Sequence, residues 1–156
     1  MAEVTAVDQA TVHASAVLVG ARAVLIRGPS GSGKSRLALD LIRAAQEGAL
    51  LFARLVADDR VHLQSVGGRL LARPAEPLAG LIEVHGVGVL RLAHEPSAVV
   101  GLIVDLAAAD AERLPRPASR RIEISGISLP RLAVASDGAA LPAVLAVLKS
   151  HPGAWI

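Results

Sequence analysis

Two short stretches of this 156-residue chain bring together residue types that phosphate chemistry uses in combination. The first is Gly28-Pro29-Ser30-Gly31-Ser32-Gly33-Lys34-Ser35, a complete G-x-x-x-x-G-K-[ST] pattern. Glycines let such a loop curl until its backbone N–H groups converge on phosphate oxygens, and the positive end of a following helix adds to that field. Lys34 then reaches the β- and γ-phosphates, and the Ser35 hydroxyl is available to Mg²⁺. Of the 16 basic residues only Lys34 and Lys149 are lysine, so position 34 stands out as one suited to a compact ammonium on a flexible stem. The expected ligands are ATP, or a related nucleotide, and Mg²⁺. A Gly/Ser-rich turn in a chain with 14 glycines is the plainer reading, but the match is complete and its flanks agree with it.

The second stretch is LVADDRVHL at residues 55–63, an apolar run that ends in two adjacent carboxylates, Asp58 and Asp59. Side by side they repel, so a cation or a proton-transfer role has to compensate. A phosphate-loop protein needs a carboxylate at the end of a nearby strand to hold Mg²⁺, directly or through water, and Asp58 suits that position. One carboxylate is enough for the metal. Asp59 is then available as the base that takes a proton from an attacking hydroxyl, with a solvated turn after a strand as the alternative.

These residues need particular elements to hold them. Residues 16–27 read as a hairpin turning at Gly20-Ala21, with AVLIR entering the glycine loop, and RLALDLIRAA gives a helix from Ser35 to about Gly48. Beyond the paired aspartates, Gly67-Gly68 marks a turn between two strands, and Pro74 and Pro77 end the second. The runs LIEVHGVGVLRL, VVGLIVDLA and RRIEISGISLPRLAV are rich in β-branched residues. GAALPAVLAVLKS reads as a closing helix capped by Asp137, with Pro142 near its first turn. Strands outnumber helices, which predicts an α/β fold with a mixed sheet carrying one early phosphate-loop unit.

Composition narrows the field further. With 53% hydrophobic and 19% charged residues, the chain suits one compact domain over residues 1–156. It has no cysteine, and its five histidines form no short-spaced pair, which argues against disulfides and a structural zinc site. Aromatics at 1% and arginines scattered along the chain argue against nucleic-acid binding. No apolar run is long enough to span a membrane, and MAEVTAVDQA lacks the order of a signal peptide, so a cytoplasmic protein is expected.

With these motifs placed, the chain resembles the C-terminal catalytic domain of the bacterial HPr kinase/phosphorylase family. Four segments carry the likeness in the family's order: TVHASAVLV, GPSGSGKSRLALDLI, RLVADDRVHL and LIEVHGVGVL. The resemblance implies a phosphoenolpyruvate carboxykinase-like nucleotide-binding fold and ATP-dependent phosphorylation of a serine on the small phosphocarrier HPr. It implies that His13 approaches the catalytic centre, that Lys34 and Ser35 serve phosphate and Mg²⁺, and that Asp59 is the base with Asp58 at the metal. Glu83 would be a further Mg²⁺ contact, and Arg113 in AERLP resembles the arginine of the family's Asp-Arg-Leu-Gly, with Glu112 in place of its Asp. The family forms hexamers, so a homo-oligomer is expected. Plainer roles stand beside these: a packed or exposed histidine at 13, a solvent-facing Glu83 and a solvated loop Arg113.

The sequence also departs from the family. It looks like a short form without the N-terminal domain, and His85 replaces the usual signature arginine. The late Arg-, Pro- and Gly-rich loop is reduced to ISLPRLAV, where only Arg131 remains. Those regions go with the reverse reaction, phosphorolysis, so kinase activity is the firmer expectation. AAQEGALLFARL, between the helix and the aspartates, is a longer connection than the family shows. A kinase of the same fold with another substrate, or a module that binds ATP without transferring it, are the competing readings. The retained Asp59 favours catalysis, because binding alone needs no base.

Overall fold

The computed structural model describes residues 11–150; residues 1–10, where a leader was sought, lie outside that range. After the short β1 (Thr11–Val12), strands β2 (Ser15–Val19) and β3 (Arg22–Arg27) form the expected hairpin about Gly20. Helix α1 (Lys34–Gln46) follows the glycine loop and buries Leu37, Ala38, Leu41 and Ala44, one stripe at helical spacing. It stops two residues before the expected end, where Gly48 takes a φ of 88° that a residue with a β-carbon resists. The expected long connection is shorter than it read, residues 47–52, because residues 44–46 belong to the helix and 53–55 to the next strand. Within it Leu50 turns into the core while the Phe52 carbonyl accepts a hydrogen bond from Gly20 N–H at 3.1 Å.

Strand β4 (Ala53–Ala57) pairs antiparallel with β2 and delivers the aspartates. Strands β5 (Val61–Val66) and β6 (Arg69–Pro74) then form a hairpin whose turn, Gly67 and Gly68, has positive φ at both residues. The run LIEVHGVGVLRL divides into β7 (Leu81–Val84) and β8 (Gly88–Arg91), a separate two-stranded sheet. Strand β9 (Ala98–Asp105) lies parallel to β3, and β10 (Arg121–Ile124) and β11 (Ile127–Ala133) close a last hairpin, with β11 parallel to β9.

The large sheet runs β1-β5-β6-β9-β3-β2-β4, with β11 joining at the carboxyl end of β9. It is mixed, as expected. Alternate residues of β3 enter opposite cores: Val24 and Ile26 pack under α1, Ala23 and Leu25 against the far side. A strand covered on both faces needs an unbroken apolar run, and AVLI supplies one. Helix α2 (Ala140–Leu148) packs into the α1 side through Val144. Its expected cap is corrected: α2 starts at Ala140, so the cap position falls on Ala139 and no side chain, Asp137 included, bonds there. A turn bond from Gly138 N–H to the Ala135 carbonyl separates Asp137 from the helix.

Candidate active site

The carboxyl ends of the parallel strands β3 and β9, the end of β4 and the start of β2 meet at one edge of the sheet. At Gly28 an added β-carbon would come within 2.5 Å of Ser32 Oγ and 3.1 Å of Leu106, so the loop closes on its neighbouring wall only with glycine there. Gly31 and Gly33 have φ of 80° and 98°. Gly33 caps α1 without a side-chain bond, which leaves the N–H groups of the first turn to an external acceptor. Ser32 Oγ is buried without a hydrogen-bond partner, and the Lys34 ammonium donates to the carbonyls of Gly28 (2.8 Å) and Pro29 (3.1 Å). This set of converging donors fits a polyphosphate. A cleft of about 280 Å³ opens on the flank of the loop between Pro29, Ser30, Leu106, Ala107 and Ser136.

Asp58 is the hub of the other half. It is 3% exposed and accepts from Ser15 Oγ (2.6 Å), from Ser35 Oγ at both carboxylate oxygens (2.7 and 2.9 Å), and from the Glu83 backbone N–H (3.1 Å). Register explains the first contact. Ala16 stands opposite Ala57, with a bulge just behind it, so the next residues out, Ser15 and Asp58, face each other across the pair. Asp59 differs from its neighbour: its side chain is 65% exposed and its φ is 71°. His13 Nδ1 lies 4.0 Å from Asp59 Oδ1, close enough to attract when protonated but too far for a hydrogen bond.

Thus the structure gathers Lys34, Ser35 and Asp58, and sets His13 beside Asp59. Glu83 joins through its backbone, while its carboxylate stays exposed. Arg113 is exposed and makes no hydrogen bond or ion pair with the other candidates among the described residues; Glu112 beside it pairs with Arg116 at 3.3 Å. No group of three or more His, Asp or Glu side chains among the described residues is arranged to hold a metal. An Mg²⁺ ion at a nucleotide takes only one or two protein oxygens and fills its shell with phosphates and water, and the Ser35 hydroxyl and Asp58 carboxylate are the oxygens beside the loop that could serve it.

A family model for the HPr Serine kinase C-terminal domain matches residues 5–140. The chain belongs to that family. Within it, the HPr kinase/phosphorylase of Streptococcus thermophilus (strain ATCC BAA-491 / LMD-9) is 33% identical over 139 residues, covering 81% of this chain. That of Streptococcus pneumoniae (strain Hungary19A-6) is 34% identical over the same length. The chain spans 42% of the length of these relatives. Among solved structures, the Hpr(Ser) kinase/phosphatase from Coxiella burnetii aligns with a TM-score of 0.73 at 23% identity, covering 90% of this chain and 95% of that one. It shares the mixed α/β fold.

In this HPr kinase C-terminal domain the late arginine is committed elsewhere. Arg131 Nε donates to Asp105 Oδ2 at 2.6 Å, and its two terminal nitrogens grip Asp110 at 2.8 and 3.0 Å. Arg27, the residue before the phosphate loop, forks onto Asp105 at 2.8 and 2.9 Å. Burial raises the Asp105 carboxyl, but hydrogen bonds from Arg27 and Arg131, and then their charges, outweigh it and hold the group below the usual carboxylate range. The bond from Arg131 lowers Asp110 likewise, and in return Asp110, with Asp105, keeps the guanidinium above its ordinary value. Sequence reading missed Ser15 and this network. Ser15 carries no signal until the strand register is known. Asp105 did carry one, since it closes an apolar run as Asp58 does.

Proposed function

We propose that this chain is an ATP-dependent kinase that phosphorylates a serine of HPr, the reading its streptococcal relatives' names suggest. The observation that carries it is the division of labour between adjacent aspartates at a phosphate loop: Asp58 buried on the loop's own Ser35, Asp59 exposed beside it. The loop N–H groups, the Ser32 hydroxyl and Lys34 bind the β- and γ-phosphates, and the cleft beside Ala107 and Ser136 receives the nucleoside. Ser35 and Asp58 would hold Mg²⁺, with Glu83 next to them through its backbone bond to Asp58; the ion would supply charge neutralisation at the transferred phosphoryl group. Asp59 takes the proton from the serine hydroxyl as its oxygen bonds to the γ-phosphorus and ADP departs. His13 stands beside Asp59, its Nδ1 4.0 Å from Oδ1, at the face the incoming hydroxyl would approach. Arg113 makes none of these contacts and takes no part in the proposal.

The reverse reaction has to hold free phosphate next to phosphoserine, which calls for uncommitted positive charge. Arg131 is neutralised by Asp105 and Asp110, and His85 replaces the signature arginine, so phosphorolysis is weak relative to transfer. The test is transfer from [γ-³²P]ATP to HPr of the same organism. Lys34→Ala should lose transfer and nucleotide affinity together, while Asp59→Asn keeps Mg²⁺·ATP binding by calorimetry and loses transfer by about 10²-fold or more, the scale of general-base catalysis. Wild-type rates from Asp59→Asn would remove that residue from the role. Labelling of other proteins but not HPr would move the substrate.

A further inference from the structure

We infer that Ser15 is a positioning residue for the metal, its hydroxyl fixing the direction of the Asp58 carboxylate. This rests on the kinase reading and goes beyond it by giving a role to a side chain outside both motifs. Ser15 has no solvent exposure and stands in a buried strand between Ala14 and Ala16, where an unpaired hydroxyl would be a cost. Its partner is Asp58 Oδ1, at 2.6 Å. Ser35 has one hydroxyl hydrogen but lies 2.7 and 2.9 Å from the two carboxylate oxygens, so its bond is shared and its orientation is not fixed by Asp58. The fixed donors are the other two, each from a strand: Ser15 on Oδ1 and the Glu83 N–H, at 3.1 Å, on Oδ2. One immobile donor on each oxygen decides which lone pairs are left for a cation or its water, whatever Ser35 does. Without the Ser15 hydroxyl, Oδ1 is tied only to the movable Ser35, and the carboxylate can turn about its remaining bond to Glu83.

Threonine and valine at position 15 isolate the hydroxyl, because they match in shape and differ in that group alone. The readout is ADP affinity by calorimetry with and without Mg²⁺, which needs no turnover. Ser15→Val should cut the Mg²⁺-induced gain in affinity about 10-fold or more while Ser15→Thr keeps it within about threefold, the lower end of losses seen when support for a metal ligand is removed. Metal-free ADP affinity should be equal in all three proteins. If Ser15→Val does not fold, Ser15→Ala, which adds no bulk, gives the same comparison. A folded hydroxyl-free variant that is less stable to heat yet retains the full Mg²⁺ gain overturns the inference and leaves Ser15 a structural bond only. Wild-type protein that binds no ADP in either condition overturns the kinase reading itself, and this inference with it.

Discussion

The chain reverses between Asp58 and Asp59, and the reversal gives two identical side chains different chemistry. A hydrogen bond from Arg60 N–H to the Asp58 carbonyl at 2.8 Å closes a three-residue turn, with Asp59 at its centre and φ at 71°. Had the strand continued, Asp59 would have pointed to the opposite face of the sheet; the turn lifts it out of the sheet while Asp58 stays under Ser15 and Ser35. A residue with a β-carbon held at such a φ costs roughly 1 kcal/mol or more, and glycine does not pay it. Asp59→Gly should therefore raise the midpoint of denaturant unfolding by about 1 kcal/mol of stability while abolishing transfer. A midpoint that stays put or falls would mean that the turn stores no strain at this residue. At this scale the loop and the paired aspartates of the candidate site were legible in sequence, since residues 28–35 and Asp58-Asp59 announce themselves by type and spacing, whereas Arg113, expected beside them, makes no contact with them among the described residues. Ser15 was not, because a serine in HASAV acquires meaning only from what stands opposite it.

At the scale of elements, the Arg27–Asp105–Arg131 cluster joins the carboxyl ends of β3, β9 and β11 where the phosphate loop begins. Leu106 follows directly, its N–H bonded to the Arg27 carbonyl at 2.8 Å, and forms the wall against which Gly28 is pressed. Asp105 and Asp110 both have carboxyls held below the usual range. The stability each contributes is therefore complete above the unfolded value and is lost as pH falls through the lower, folded-state value. Asp110 is 52% exposed at its side chain and adds little, so Asp105, at 14%, dominates. Wild-type protein should lose stability below about pH 4, and Asp105→Asn should start from a lower plateau and decline less over that range. Equal acid slopes in denaturant melts between pH 3 and 7 would assign the acid sensitivity to other groups. Sequence periodicity gave α1 and the Gly67-Gly68 hairpin correctly, because local chemistry decides both. It could not show that LIEVHGVGVLRL stays outside the main sheet, which depends on partners distant in sequence, nor that Asp137 falls short of α2, which follows from the turn between Ala135 and Gly138.

Across the whole molecule, β9 is the strand on which the architecture depends. It pairs with β3 along its length, with β6 at its start and with β11 at its end, and it feeds both cores, Leu102 and Val104 on one side and Val100 and Ile103 on the other, the switch of face falling at the register shift between Val100 and Leu102. Strand β3 finds β2 at once through a tight turn, but its other edge waits for residues 98–105, so the phosphate loop is anchored on one flank only until then. A fragment ending at residue 97 contains residues 28–35, both aspartates and the β7–β8 hairpin, yet it should bind no ADP by calorimetry. Binding at the affinity of the whole chain would mean that the loop is shaped locally. On the ribosome, where residues appear in order, the motif most easily read in the gene is translated early, but its loop should take its closed shape only after Asp105 and Leu106 have left the exit tunnel.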